Sequence, residues 1–428
     1  MARRARRAKR RGKLLGNALL GPGQGGRVAG PNRFVGPPYY LVNDTFTTGR
    51  AAGAVNGTDA EPGPGRRTVV DTNSKLSLSG GNAVFATGGV GNGDPSIRYA
   101  GQNRVGGRLL TAELIYDSAV GFSAGFDTDT SGGLNAANLN ASSTNLRAMA
   151  DGVSVVVGAI VLGATYKLCV VLRESGAYYF VKGGTFTNWT LVWINGGNIT
   201  SIVYPALAAN SASNNWRGTY IRVPSARWLP TPLLSDGFSA WGTSDGLGHA
   251  EGIAGGLGSG GGGLAWTQAV GSWGASGGVA SASALSGGVA MALVDTGKAD
   301  VIATAKVTRN AGNAGVVVRY VDANNLVGAR HTGTNAQLFK IVAGVSTTVV
   351  DAAATYVAGA EIRVICEGTA FRLFYNDAAV GSVATIGDAA LQAGTKQGLR
   401  TTDTANTFDN FVVRARGTGG EYAALDAF

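Results

Sequence analysis

From residue 41 onward, hydrophobic and polar positions alternate with a period of two rather than 3.6. The runs Val301–Val307 (VIATAKV), Gly315–Tyr320 (GVVVRY), Gln337–Val342 (QLFKIV) and Glu361–Ile365 (EIRVI) are short and rich in β-branched and aromatic residues. Such side chains pack well on a pleated surface, so the runs favour extended backbone. Between them stand Gly, Asn, Asp and Thr, and Asp322-Ala-Asn-Asn325 and Tyr375-Asn-Asp377 have the composition of hairpin turns. No segment carries the apolar spacing and caps of a long amphipathic helix. Many short strands at regular spacing predict an all-β chain built from antiparallel two-sheet sandwiches.

The pattern occurs twice. One copy opens with Leu41-Val-Asn-Asp-Thr-Phe46 and the other with Leu234-Ser-Asp-Gly-Phe238. Lys75–Phe85 parallels Gly271–Ala280. Gly152–Val157, Tyr166–Leu172 and Ala177–Val181 parallel Gly344–Val350, Glu361–Ile365 and Phe371–Tyr375. Each copy closes on a strand ending in Arg, at Tyr220–Arg222 and Phe411–Arg414. Two copies are too few for a solenoid, so the expectation is a duplicated domain. The predicted organisation is an extended arm over 1–40, a first sandwich over 41–223, a stiff Pro-rich linker at 224–232, a second sandwich over 233–416 and a tail over 417–428.

Charge separates the arm from the rest. Arg3, Arg4, Arg6, Arg7, Lys9, Arg10, Arg11, Lys13, Arg27 and Arg33 fall in the first forty residues with no acidic residue among them. The remaining 26 basic residues balance the 26 acidic ones, so the net charge of +10 belongs to the arm. Gly21–Pro38 is rich in Gly and Pro and has no core of its own, so the arm is expected to be extended. Eight of the bases lie within Arg3–Lys13. Guanidinium groups pair bidentately with oxyanions and keep their charge at every relevant pH. Meeting duplex phosphates, eight such groups would give a log–log salt slope of roughly −7. No aromatics interleave with them, so base stacking is not implied. The arm is expected to meet nucleic acid or an acidic protein groove, which the sequence alone does not separate, with membrane contact or plain solvation as the remaining reading.

Only 14% of the residues are charged, which suits packing against copies or partners and points to a homo-oligomer or many copies. The two cysteines, Cys169 and Cys366, sit in apolar strand-like runs of different copies and read as buried free thiols. The longest apolar stretch, near Val155–Leu162, is far too short to cross a membrane, and no membrane partner is expected. Leu14–Leu20 after the basic run superficially resembles a signal peptide. Asn17 interrupts it and no small-x-small cleavage site follows, so export by the usual route is not expected.

The second copy resembles the concanavalin A-like, laminin-G-like jelly-roll sandwiches. The residues that carry the likeness are Asp236-Gly-Phe238, Trp266 with Gly271-Ser-Trp273, Ala299-Asp-Val301 opening an edge strand, Gly315–Asn325, Gly398-Leu-Arg400 and Phe408–Arg414. The first copy matches loosely and departs around Asn135–Ala150, which reads as an elaborated loop. The resemblance implies tandem antiparallel jelly-roll-like sandwiches and leaves activity open, since the family includes lectins, glycosidases, adhesion modules and phage appendage proteins.

Candidate chemistry is sparse. His249 and His331 lack metal-ligand spacing and read as exposed loop histidines. Glycosidases of this family carry paired carboxylates as Glu-x-Asp-x-x-Glu, and no such run exists here. Asp127 and Asp129 are the nearest pair, but their Thr/Ser/Gly surroundings read as a turn, or at most a calcium loop. Gly252–Gly263 lacks the Gly-Lys-Ser/Thr of a phosphate loop and reads as a surface loop. For a glycan the best candidate is Trp189 with Trp193, flanked by Asn188 and Asn195, because flat aromatic faces and nearby amides suit a sugar. Core packing is the competing reading of both tryptophans. Trp266 and Trp273 read as core or edge fillers and Trp228 as a linker anchor.

The combination of a polycationic arm, weakly charged tandem sandwiches and no export signal resembles a bacteriophage virion protein. That resemblance implies a non-enzymatic head decoration, neck or tail-fibre-like component, made in the host cytoplasm and released by lysis. Its partners would be portal, capsid or tail proteins, with nucleic acid or a host surface glycan as further contacts and no cofactor. A capsid shell protein whose arm contacts the genome, and an extracellular glycan-binding or glycan-cleaving protein, are the alternatives.

Overall fold

The computed structural model describes residues 40–86, 94–103, 108–117, 121–128, 137–142, 144–150, 153–173, 176–195, 202–209, 216–224, 233–238 and 264–427. The basic residues of the arm, the joint at 225–232 with Trp228, and the run at 239–263 with His249 lie outside the described residues.

The first half contributes β1 (Tyr40–Asp44), β2 (Thr68–Val70), β3 (Leu76–Ser79), β4 (Asn82–Phe85), β5 (Ser96–Arg98), β6 (Gln102–Asn103), β7 (Arg108–Ile115) and β8 (Phe122–Asp127). It continues with β9 (Ala137–Ser142), β10 (Asn145–Ala150), β11 (Val153–Ala159), β12 (Thr165–Arg173), β13 (Gly176–Gly183), β14 (Phe186–Asn195), β15 (Ile202–Ala209) and β16 (Trp216–Pro224). The second half contributes β17 (Leu234–Asp236), β18 (Trp266–Val270), β19 (Ser272–Ser276), β20 (Val279–Ala284), β21 (Ala290–Asp295), β22 (Val301–Thr308), β23 (Ala314–Asp322) and β24 (Asn325–His331). Then come β25 (Asn335–Val342), β26 (Val345–Ala353), β27 (Ala360–Glu367), β28 (Ala370–Tyr375), β29 (Ala378–Thr385), the single turn α1 (Ala389–Gln392), β30 (Lys396–Thr401) and β31 (Thr407–Ala415). A 3-10 turn over Ala423–Ala427 ends the described chain. No helix among the described residues is long and apolar enough to cross a membrane.

The strands form four antiparallel sheets. In the first half the orders are β14-β13-β12-β7-β16-β4-β3, with β1 also on β16, and β11-β10-β9-β8-β15-β5-β2, with β6 also on β15. In the second half they are β29-β28-β27-β22-β31-β20-β19, with β17 also on β31, and β26-β25-β24-β23-β30-β21-β18. Setting β6 aside, the two halves match strand for strand: β1–β5 correspond to β17–β21 and β7–β16 to β22–β31. The sequence repeat is thus a repeat of topology. Even the opening corner recurs. Asp44 Oδ1 accepts the Phe46 N–H at 3.1 Å and Asp236 Oδ1 accepts the Phe238 N–H at 2.9 Å, with both phenylalanines at positive φ.

Local chemistry explains the strands. In β27, Ile362, Val364 and Cys366 point into the second core, and the hairpin to β28 pairs Ile362 with Tyr375. Asn376 and Asp377 then turn the chain into β29 with φ of 49° and 63°, a conformation Asn and Asp tolerate better than most residues. Asp322 pairs with Asn325 across the other anticipated hairpin. Three expectations are corrected. Ala299–Val301 opens no edge strand, because β22 lies between β31 and β27. The stretch read as a loop around Asn135–Ala150 contains the β9–β10 hairpin, paired Ala137 to Ala150. His331 is buried at the end of β24, not exposed. Its Nε2 meets the Ala354 carbonyl, its Nδ1 accepts the Gly333 N–H, and its ring packs on Tyr356 and Tyr375.

One sheet of each sandwich is buried on both faces. Tyr179 of β13 points inward and reaches the Met149 carbonyl of the opposing sheet. Its neighbours Tyr178 and Phe180 point the other way, toward the second half, and are also buried. From the second half, Ile302 of β22, Ile365 of β27 and Phe374 of β28 turn away from their own core and join the apolar cluster of the first. The sheets containing β12–β14 and β27–β28 therefore stack back to back, giving four layers. Arg363 crosses this seam to the Ile194 carbonyl at 2.7 Å, Arg372 to the Val157 carbonyl at 3.2 Å and Arg414 to the Tyr178 hydroxyl at 3.2 Å. Beyond β31 the chain straps over β14: the Leu191 N–H donates to the Arg416 carbonyl at 2.9 Å, and Tyr422 and Leu425 bury against the first half.

Candidate functional site

The four residues singled out for a glycan all lie on β14, and Asn188 and Trp189 meet the strap. Trp189 is 2% exposed and donates its indole N–H to Asp426 at 3.1 Å. Asn188 donates to the Thr418 carbonyl at 2.8 Å, and Asn195 is buried at the end of β14. Trp193 lies in the first core against Tyr179, ring centroids 5.2 Å apart. Four positions apart in a regular strand, the two tryptophans would share a face. They do not, because the register jumps: Tyr179 pairs with Trp193 but Phe180 pairs with Leu191, leaving Val192 as the extra residue of a bulge. The bulge sends Trp189 outward to the tail and Trp193 inward. Neither offers an open face to a sugar in this arrangement. Trp273 is buried against Phe408, and Trp266 donates to Asp236 at 2.8 Å on the edge strand β18, as core and edge fillers would.

With the two middle sheets stacked, the outer faces of the two remaining sheets point away from the seam. On the first, Ile97, Leu207, Ala124, Phe126 and Leu139 point into the core, so their strand neighbours point out. Those neighbours are Ser96 and Arg98 on β5, Ala206 and Ala208 on β15, Ser123, Gly125 and Asp127 on β8, and Asn138 and Asn140 on β9. Register aligns them into rows: Arg98 opposite Ala206, Ala206 opposite Gly125, Gly125 opposite Asn138. These side chains are nonetheless buried, with Ser96, Arg98, Ala206, Asp127 and Asn138 at most 1% exposed, so the rows form a covered polar layer. Arg98 meets Asp127 at 3.1 Å, with both side chains almost fully buried, and Asn140 donates to Ser123 at 3.2 Å. Asp127 is a strand residue, not part of a turn as its sequence context suggested, and it pairs with a guanidinium. Asp129 lies outside the described residues. The sequence signal for this polar layer was present but quiet: FSAGFD and ANLNA alternate apolar with small or amide residues.

Elsewhere chemistry is structural. Asp44 holds Arg67 through both oxygens, at 2.6 and 2.7 Å, and accepts the Tyr99 hydroxyl at 2.7 Å. Burial, then the Asp44 charge, pushes the Tyr99 phenol well above its usual range. Burial alone would lower Arg363, but Glu361 and Asp377 hold it above its ordinary value. Among the described residues no group of three His, Cys, Asp or Glu side chains could hold a metal ion. A hollow of about 350 Å³ beside β26 and β29 is lined mainly by Ala352–Ala354, Val357, Tyr375 and Ala378–Gly381, with no charged group among its lining residues.

No family model matches the chain, and no curated protein matches it. Solved structures resemble parts of it. A carbohydrate-binding module from Bacillus subtilis has 19% identity, spans 35% of this chain and 95% of its own, and has a TM-score of 0.31. The exoplasmic/lumenal domain of VIP36, bound to calcium and a mannose disaccharide, has 10% identity over 43% of this chain and 88% of its own, with a TM-score of 0.31. A pseudo-β-1,3-glucanase of Mycobacterium tuberculosis has 14% identity over 44% and 99%, with a TM-score of 0.30. Likeness this slight says nothing of what the present chain does, and its fold rests on the sheet orders given above.

Proposed function

We propose that this chain is a non-enzymatic structural protein of a bacteriophage particle, anchored by its basic arm and presenting a rigid double sandwich. The observation that carries the proposal is where charge is left unbalanced. In the body, Arg67, Arg98, Arg319, Arg363 and Arg416 each pair with an acidic residue of the body itself. The ten arm cations have no acidic residue near them in sequence, so they need an external polyanion. Stacked sheets and a strapped tail suit a component that bears load rather than one that opens and closes. Partners in this reading are portal, capsid or tail proteins, and the protein resides in the virion.

Replacing all eight bases of Arg3–Lys13 by Gln tests this reading. Recovery of the protein with purified particles should fall to background while its thermal unfolding is unchanged. Undiminished recovery refutes arm anchoring. Loss that is mimicked by high salt and by competing DNA, but not by an acidic protein surface, assigns the arm to the genome.

A further inference from the structure

His331 is fully buried, and its neighbours accept it only as the neutral ring. The Gly333 backbone N–H points at Nδ1 from 2.9 Å, and a backbone N–H can only donate. Nδ1 is therefore bare. The ring proton lies on Nε2, which donates to the Ala354 carbonyl at 3.1 Å. A second proton enters only at Nδ1, where it meets the Gly333 N–H head-on. Nothing around the ring compensates the charge it would bring. β23 and β25 place Ala314 and Ala336 opposite His331. The turn after β22 brings Arg309, whose guanidinium packs on Gly333 so closely that a Cβ there would stand 2.8 Å from Nη1. Its charge opposes a further cation. The carboxylates of the adjoining strands are engaged elsewhere: Asp351 of β26 is exposed and held by Asn335 at 2.6 Å, and Glu361 of β27 and Asp377 beyond β28 hold Arg363.

The same ring fastens a segment of chain. Residues 354–359 cross from β26 in the outer sheet to β27 in the inner one, beside the hollow lined by Ala352–Ala354, Val357 and Tyr375. Main-chain bonds tie this crossing to the sandwich only at its two ends, from Ala354 N–H to the Thr334 carbonyl at 2.9 Å and from Gly359 N–H to the Val307 carbonyl at 3.0 Å. Between them it hangs on side chains. The Tyr375 hydroxyl accepts the Val357 N–H at 2.8 Å and donates to the Val357 carbonyl at 3.2 Å, and the Tyr356 hydroxyl accepts the Arg309 N–H at 2.7 Å. The His331 ring packs on both tyrosines, with centroids 5.4 Å from Tyr356 and 4.6 Å from Tyr375.

We propose that His331 is an acid-operated clasp: a proton taken up at Nδ1 releases residues 354–359 from the second sandwich and opens the hollow beside β26 and β29. A protonated ring gives up the Gly333 bond and sets a second cation beside Arg309, and it regains solvation only by leaving its site. Its exit takes away the donor to Ala354 and the surface on which Tyr356 and Tyr375 pack. The rest of β24 stays in the sheet through its pairing with β23 and β25. With an ordinary histidine value of about 6.5 in the open form and no proton bound in the closed form, the open fraction grows about tenfold per pH unit below 6.5, or about a hundredfold by pH 4.5. The clasp is independent of the arm and of the virion reading.

The test is native-state hydrogen exchange of the full chain between about pH 7.5 and about pH 4.5, with and without sub-denaturing urea. Protection factors of the 354–359 amides should fall about tenfold per pH unit below about 6.5, through an opening that urea hardly changes. The β23 amides should remain better protected and exchange through a urea-sensitive opening. His331→Gln, which takes up no proton, should remove the acid dependence at 354–359. Protection and urea response shared with β23 would mean that the segment opens only with the whole fold, and protection at 354–359 that ignores pH would mean that the proton is not the trigger. Either result overturns the proposal. Should His331→Gln fail to fold, nitrogen-15 labelling of the two histidines of the native chain decides, with His249→Gln assigning the signals. His331 should carry its proton on Nε2 at neutral pH and titrate together with the loss of protection at 354–359. A proton on Nδ1, or titration that leaves the segment protected, overturns the clasp.

Discussion

Tyr422 is the pin of the strap that binds the two sandwiches, and replacing it measures that strap directly. Its side chain is 1% exposed, its hydroxyl donates to the Ala415 carbonyl at 2.6 Å, and its ring meets Phe180 edge-on at 4.9 Å. The tail reaches this position through Gly417, whose φ of +94° is costly for other residues and where a Cβ would stand 2.1 Å from the Trp189 carbonyl. Burying a tyrosine removes roughly 200 Å² from water. At about 25 cal/mol/Å² that is about 5 kcal/mol, reduced to about 3–4 kcal/mol for a denatured chain that is already partly compact. Tyr422→Ala should therefore cost about 3–4 kcal/mol, whereas Tyr422→Phe should cost only about 1 kcal/mol, the worth of its hydrogen bond. Urea titration gives both values. Trp189, covered by the same tail, supplies the local probe: the emission difference between Tyr422→Ala and Tyr422→Ala/Trp189→Phe should shift red and become accessible to a quencher. A loss below about 1 kcal/mol with Trp189 still shielded would refute docking of the tail.

Three further outcomes are expected. Asp44→Ala should destabilise by about 3–5 kcal/mol in thermal or urea unfolding, because it strands the buried Arg67 guanidinium and frees the Tyr99 hydroxyl. Cys366, whose thiol burial pushes up to about 12, and the buried Cys169 should resist a thiol reagent in the native protein and react only on unfolding. His331 is held below its ordinary value, first by burial and also by the Arg309 charge, with its hydrogen bond to the Ala354 carbonyl working in the opposite sense. Below about pH 6.5 the unfolded chain then takes up its proton before the folded one. Stability should fall as pH drops from about 6.5 through the lower folded value, and His331→Asn should flatten that slope in unfolding curves.

Strand positions and the duplication were legible because each depends on residues near in sequence. The match of Tyr166–Leu172 and Ala177–Val181 to Glu361–Ile365 and Phe371–Tyr375 is the correspondence of β12–β13 to β27–β28. What could not be read depends on register between distant strands. The bulge at Val192 is invisible in FTNWTLVWIN, yet it decides that Trp189 and Trp193 face opposite ways. Back-to-back stacking leaves a trace in the all-apolar runs of β12–β14, but the same runs suit any doubly covered sheet. His331 read as a loop residue because the strand-like run ends at Arg330 in the sequence, whereas β24 runs on to His331 and buries its ring.

Reciprocal transfer of the arm tests the division of labour between arm and body most directly. Residues 1–39 fused to an unrelated soluble protein, and residues 40–428 alone, are each expressed during particle assembly, and copies per purified particle are counted by quantitative mass spectrometry. The arm fusion should be recovered in particles and the armless body, folded and strapped, should be absent. Recovery of the armless body at the level of the full chain would contradict anchoring by the arm.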